Sequence, residues 1–292
     1  MVSTAFDYIA VDSYEEAVRL LAEHGDDAKI IAGGQSLAPM LNLRLARPEI
    51  LIDINPVPAP EPAVDGSSLR LSAMTRHRTL LEHPLLRRHS PLIAEAMSHV
   101  GNVRVRNRGT IGGSLAHCDP TAELGACALV LDAQVIALGP IGPRTISIQD
   151  LFVTYLTTSL EPAEVVTDVL LPLASTGRGW GFQEMVRRTS DFAIVAVAAE
   201  VELDGQTDSA GQVRLGLAGV ADTVVLVEPA LLTDLVGWPG DDERIARAAA
   251  RVAESVHPDS DIHASGKYRQ RLVAVLVRRA LREAFDRAKG AA

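Results

Sequence analysis

The chain has 292 residues, 47% of them hydrophobic, 22% charged and only 4% aromatic. It carries 28 Lys and Arg against 37 Asp and Glu, a formal net charge of −9, which argues against a general nucleic-acid binder. A chain of this length has room for two or three domains and buries about three quarters of its unfolded surface, which excludes whole-chain disorder. Two cysteines, Cys118 and Cys127, cannot supply a disulfide scaffold, an all-cysteine zinc site or the four thiolates of an iron–sulfur cluster. The amino-terminal residues lack the basic and long apolar regions of a secretory leader, and no apolar run is long enough to span a membrane. A cytoplasmic protein is expected.

The first unit reads as strand, helix, strand. Ser13 and Glu16 form a capping box, Val18, Leu20 and Leu21 give the helix an apolar face, and Gly25 suits its end. Residues 29–32 read as a short buried strand that stops at Gly33-Gly34; a helical turn over 37–43 and a strand over 50–54 follow. Four prolines within residues 56–62 make a stiff connector, where the first boundary falls. Beyond it, 69–73, 134–138 and 164–171 read as strands and 91–99 and 121–131 as helices. Arg104, Arg106 and Arg108 alternate, which on a strand would put them on one face. After residue 176 the texture changes to long strands over 180–187, 194–203 and 213–220, then helices over 242–256 and 268–288. Strands followed by helices indicate an α+β unit. The last helix is arginine-rich, either a solvated face or a subunit contact.

Two glycine-rich segments carry the strongest chemical signal. The first is Ile31-Ala32-Gly33-Gly34-Gln35-Ser36-Leu37 and the second Gly109-Thr110-Ile111-Gly112-Gly113-Ser114-Leu115. Adjacent glycines let successive backbone N–H groups turn inward with no Cβ in the way, the arrangement that cradles phosphate oxygens. Two such loops, about 80 residues apart, could grip the two ends of a pyrophosphate. Tight turns between strands are the other reading, and spacing alone leaves both open. Neither segment fits the dinucleotide fingerprint GxGxxG or the NTPase loop GxxxxGK[ST]. The histidines, including His77, His83, His89 and His99, form no HxH or HExxH pattern and read as structural or surface groups.

The stretches AGGQSLAPMLNLRLARPEILIDI and NVRVRNRGTIGGSLAHCDPTAEL, with the later VRRTSDFAIVAVAAEV, resemble the FAD-binding (medium) subunit of molybdenum hydroxylases of the carbon monoxide, xanthine and nicotine dehydrogenase type. The resemblance covers essentially the whole chain. It implies an α+β fold: a two-subdomain FAD-binding module of the vanillyl-alcohol-oxidase/PCMH-like type, then an α+β carboxy-terminal domain with a three-stranded sheet and helices. The boundaries that follow are 1–57, 58–176 and 177–292.

The resemblance also implies site residues. Ala32, Gly33, Gly34, Gln35, Ser36 and Leu37 match the loop around the FAD diphosphate, and Val100 and Gly101 a segment near the adenosine. Thr110, Gly112, Gly113 and Ser114 match the second phosphate and ribityl loop. His117 matches a cofactor contact, Glu123 an acidic residue on the flavin side, and Ala73 and Val166 apolar neighbours of the cofactor. Relatives often carry a lysine in the strand before the Arg187-Arg188 pair, where this chain has Gln183, Glu184 and Val186. Asp191, with Arg187 and Arg188, reads either as a loop near the flavin or as a surface ion pair.

The function implied is an oxidoreductase subunit that passes electrons from the [2Fe-2S] clusters of a small partner subunit through FAD to an external acceptor. Substrate chemistry would occur at a molybdopterin centre in a large partner, within a dimer of heterotrimers. Two other classes stand beside it: a self-contained FAD-dependent oxidase or reductase, and a cofactor-free structural protein whose Gly-Gly pairs are only turns.

Overall fold

A computed structural model describes residues 4–205 and 207–290. Three larger sheets follow one another along the chain, with a two-stranded hairpin beside the second. The first is parallel, order β1-β3-β2, from β1 (Asp7–Ala10), β2 (Ala28–Ile31) and β3 (Ile50–Asp53). Helix α1 (Tyr14–His24) joins β1 to β2; the Ser13 side chain accepts the Glu16 N–H at its start, and Ala17, Val18, Leu20 and Leu21 are buried beneath it. The short helix α2 (Leu37–Asn42) links β2 to the central strand β3.

The second sheet is antiparallel, order β4-β5-β10-β6-β7. Its strands are β4 (Ala63–Asp65), β5 (Ser68–Ser72), β6 (Gln134–Gly139), β7 (Gly142–Ser147) and β10 (Val165–Pro172). A run of helices separates β5 from β6: α3 (His77–Glu82), α4 (Pro84–His89), α5 (Pro91–His99), α6 (Val103–Arg108), α7 (Ile111–His117) and α8 (Glu123–Val130). Helix α9 (Ile148–Leu151) and the hairpin β8 (Phe152–Thr154) and β9 (Thr157–Thr158) complete this part.

The third sheet, β11 (Arg178–Val186), β12 (Ala193–Leu203), β13 (Ala210–Ala218) and β14 (Val225–Leu226), has four antiparallel strands rather than the expected three. The addition is the two-residue edge strand β14, too short to leave a sequence pattern. Helices α10 (Asp242–Ser255) and α11 (Gly266–Ala288) close the chain.

Strand β12 explains how this sheet joins the rest. Its nine residues from Ala193 to Val201 are all buried. Successive side chains of a strand face opposite ways. Ala196 and Ala198 belong to the core that contains α8, whereas Val195, Val197 and Val201 belong to the core built with α10 and α11. The small residues let α8 lie close on one face, and the branched ones fill the space under the helices on the other. Covered on both sides, the strand reads as a continuous apolar run from Ala193 to Ala199, followed by the buried Glu200, which pairs with Arg178. A polar clasp adds to the joint: Glu95 on α5 accepts from Trp180 Nε1 at 2.8 Å and Arg287 Nη1 at 2.6 Å.

A second expectation fails. Residues 103–108 are helical, so Arg104, Arg106 and Arg108 share no strand face. Asn102 accepts the N–H groups of Arg104 and Val105, and Gly109 caps the other end. These end signals prevail over the alternating charges, which carry little intrinsic strand preference. Arg106 instead donates to the carbonyls of Val100 and Gly101, both at 2.9 Å.

Candidate functional site

The two glycine segments, far apart in sequence, meet in space. A Cβ on Gly33 would lie 2.3 Å from the Arg108 carbonyl oxygen and 2.9 Å from Gly109 Cα, so the two backbones touch with no room for a side chain. Gly34 follows with φ +72, a conformation a residue with a Cβ adopts at a cost of about 1–2 kcal/mol. The chain then runs through Gln35 and Ser36 into α2. Among the described residues, no backbone or side-chain acceptor takes the N–H groups of Gly34, Gln35, Ser36 or Leu37. All four residues retain solvent access. The first loop therefore presents a row of available donors.

The second loop differs. Ile111 N–H donates to Thr75 O at 3.0 Å, Gly112 N–H to Ala73 O at 2.9 Å, Gly113 N–H to Thr110 Oγ1 at 3.2 Å and Ser114 N–H to Thr110 O at 3.0 Å. Gly112 is buried, and a Cβ there would lie 2.5 Å from Ala73 Cβ. This loop is a floor fixed to the second sheet. Ala73 and Thr110 are buried in it, while Gly113 stays exposed and Ser114 and His117 partly so.

Side chains that sequence reasoning missed hold the two loops in register. Arg76 donates to Arg108 O at 2.6 Å and to Asn55 Oδ1 at 2.8 Å. Asn55 in turn donates to Ala32 O at 2.7 Å. Asp53 anchors Asn55 and is bonded by Tyr8. Burial opposes ionisation of Asp53, but hydrogen bonds from Tyr8 and Asn55 outweigh it and hold the carboxyl below its ordinary value. The one available signal was an Asn at the end of a buried strand.

His77 lies under the second loop, its Nε2 3.1 Å from Thr110 O and its N–H donating to Gly109 O. Its Nδ1 is buried without a partner. Burial lowers its pKa to about 4, and the neighbouring Arg106 and Arg76 push the same way. At neutral pH the ring is uncharged and donates from Nε2 to the loop.

The remaining expected residues take distinct places. Val100 and Gly101 follow α5 and are tied to Arg106. His117 ends α7, its pKa lowered by burial and further by Lys29. Glu123 opens α8, is 9% exposed, and burial raises its carboxyl to about 7. Val166 stands in the core with Ile111 and Leu115. Cys118 and Cys127 are both buried, and burial raises both thiols. Asp191 N–H bonds Arg188 O, and no ion pair among the described residues joins Asp191 to Arg187 or Arg188. Among the described residues, no cluster of three or more His, Cys, Asp or Glu could hold a metal ion, and no helix is long and apolar enough to cross a membrane.

Comparison with known proteins assigns the chain. Residues 4–174 match the model of the FAD binding domain in molybdopterin dehydrogenase, and residues 180–284 that of the CO dehydrogenase flavoprotein C-terminal domain. The chain is similar to the 6-hydroxypseudooxynicotine dehydrogenase complex subunit alpha of Paenarthrobacter nicotinovorans, at 39% identity over 99% of this chain and 97% of that protein. It is 35% identical to the carbon monoxide dehydrogenase medium chain of Hydrogenophaga pseudoflava, over 98% of this chain and 99% of the relative. Among solved structures, the carbon monoxide dehydrogenase from Hydrogenophaga pseudoflava superposes with a TM-score of 0.93 at 34% identity, covering 98% of this chain and 99% of that one. Quinoline 2-oxidoreductase from Pseudomonas putida 86 does so with a TM-score of 0.91 at 33% identity, covering 100% and 99%. Both domain models, near-complete coverage and the paired glycine loops agree: this chain belongs to the FAD-binding medium subunits of the molybdenum hydroxylases.

Proposed function

We propose that this chain is the electron-transfer subunit of such an enzyme, binding FAD across the two glycine loops and passing electrons from the [2Fe-2S] clusters of a small partner to an external acceptor. The observation that carries the reading is the contact of Gly33 with Arg108, which sets a row of available amides beside a rigid second loop. Charge-assisted hydrogen bonds from such amides suit a diphosphate. When bound, FAD supplies reversible uptake of one or two electrons, and the protein supplies position and electrostatics.

In this reading the amides of Gly34, Gln35, Ser36 and Leu37 bind diphosphate oxygens. Ala32 and Gly33 shape that turn, and the Ser36 and Ser114 hydroxyls add donors. Thr110, Gly112 and Gly113 form the floor on which the cofactor rests. Val100, Gly101 and His117 border the cleft, Glu123 stands behind it, and Ala73 and Val166 support it from the core. The proposed boundaries 1–57, 58–176 and 177–292 each enclose one of the three larger sheets. Two buried cysteines cannot bind the clusters, so iron–sulfur and molybdopterin chemistry belongs to small and large partner subunits. Arg278 and Arg279 on α11 are exposed with no ion-pair partner among the described residues, which leaves that face available to one of them. We further propose a dimer of heterotrimers in the cytoplasm.

Purification of the native complex tests this reading. It predicts copurification of two partner chains, a mass of two heterotrimers, and flavin released from this chain on denaturation. Substrate turnover by this chain alone would instead establish a self-contained oxidase or reductase, and a colourless chain would exclude flavin chemistry.

A further inference from the structure

The third unit carries a surface groove that the cofactor reading does not use. It lies between α10 and α11, reaches Gln183 on β11 and has a volume of about 950 Å³. Its lining is small and apolar in the middle: Ala246, Ala249 and Ala250 on α10 and Ala274 on α11. Val275 stands beside them, 46% exposed. No aromatic side chain lines the groove.

The rim is cationic. Arg278, Arg279 and Arg282 stand along it and are exposed. Helix α11 carries seven Lys and Arg against two Asp and Glu, in a chain whose net charge is −9. Local neutralisation is incomplete. Arg282 pairs with Asp242 on α10. Glu283, one turn from Arg279, is already taken by Gln183 at 3.1 Å and by Arg287 at 2.6 Å. Arg278 and Arg279 have no ion-pair partner among the described residues. Arg278 and Arg282 are moreover like charges four positions apart on one helix, an arrangement that repels. A helix face built only for water alternates its signs, whereas this one gathers cations above an apolar floor.

We propose that the groove receives an acidic amphipathic helix from one of the partner subunits, with its apolar side on the alanines and its carboxylates on Arg278 and Arg279. The proposal rests on the functional reading, which supplies those subunits. Alanine walls let a docked helix approach closely, since interaxial distance follows the side chains at the contact. A guanidinium offers two parallel donors to a carboxylate, and complementary charge sets register as well as speeding encounter. Other occupants fit less well. A small-molecule site would have aromatic lining and would enclose most of its ligand. A second copy of this chain, docked by the same patch, would set cations against cations. A nucleic acid would meet a chain that is acidic outside this helix.

Photocross-linking in the native complex tests the proposal, with p-benzoylphenylalanine in place of the exposed Val275. The expected product joins this chain to an Asp- and Glu-rich segment of one partner subunit, identified by peptide mass. The double variant Arg278→Glu with Arg279→Glu is expected to weaken association with that subunit by about 100-fold at low salt and to remove its salt dependence. Flavin content and melting temperature of the variant chain stay as in wild type, because neither side chain touches the cleft or the core. Cross-links to a second copy of this chain or to a basic segment would overturn the groove assignment. So would an association that the double variant leaves unchanged. Partners that are present but form no cross-link overturn the groove alone. A native preparation without partner chains contradicts the proposed function, and the groove assignment falls with it.

Discussion

The two glycine loops look alike as sequence, each a Gly-Gly pair followed by a serine and a leucine, yet their backbones do opposite things. In the first, four consecutive N–H groups from Gly34 to Leu37 have no acceptor among the described residues. In the second, the N–H groups of Ile111, Gly112, Gly113 and Ser114 are all taken, by Thr75, Ala73 and Thr110. One is a donor row and the other a floor. The difference is that glycine serves two separate needs: in the first loop it allows a left-handed turn and a backbone contact, and in the second it lets α7 lie close on Ala73, just beyond β5. A short motif therefore says that the backbone must approach something closely, without saying whether that is a ligand or another strand.

The largest effect that sharpens this contrast comes from valine at either glycine. Gly33→Val forces the two loops apart and is expected to weaken FAD retention by about 100-fold or more, since overpacking of this kind costs about 1–3 kcal/mol and here falls on backbone. Gly112→Val drives a side chain into Ala73 and is expected to reduce stability, measured by thermal melting, before any specific effect on flavin. Equal loss of folding in both variants would break the distinction.

Acid comes next. The His77 pKa is about 4 when folded and near 6.5 when free, so the unfolded state binds more protons below pH 6.5. Stability contributed by the neutral ring is present above that pH and is lost as pH falls toward 4, by roughly 3 kcal/mol in all. Denaturant melts of wild type and His77→Gln across this range check it: the slope belongs to wild type and flattens in the variant. Because His77 holds Thr110 and Gly109, the acid sensitivity is a property of the second loop.

Arg76→Ala is expected to cost about 2 kcal/mol and to weaken FAD binding without unfolding the chain, as it removes the clamp between the loops. Arg76→Lys rescues little, because an ammonium cannot reach two acceptors with the geometry of a guanidinium. The smallest effects are those of Thr110→Ala, about 1 kcal/mol of stability from the lost cap on Gly113, and Gly34→Ala, about 1 kcal/mol of strain felt as weaker FAD binding. Melting temperature reads the first, and flavin titration the second.

Much of this molecule was legible in the sequence. The helix α5 lies over 91–99 as read, β10 and β12 lie within a residue of their expected bounds, and the two glycine segments do converge. These features rest on local signals: a proline at a helix start, apolar runs closed by breakers, glycine pairs after a strand. What escaped depends on distant partners. The Asn55–Arg76 clamp joins residues 21 positions apart through a carbonyl of a third segment. Strand β14 is too short to show a period, and the arginines of α6 alternate as a strand would while Asn102 and Gly109 make them a helix. A contact of His99 Nδ1 with Glu184 Oε1 spans 85 positions and was invisible for the same reason.

Equilibrium binding of FAD and of riboflavin to the flavin-free chain tests the central claim most directly. If the amides of the first loop bind a diphosphate, FAD binds at least about 100-fold more tightly than riboflavin, and Gly33→Val erases that advantage. Equal affinity for the two flavins, or a preference for FAD that survives Gly33→Val, would contradict the account.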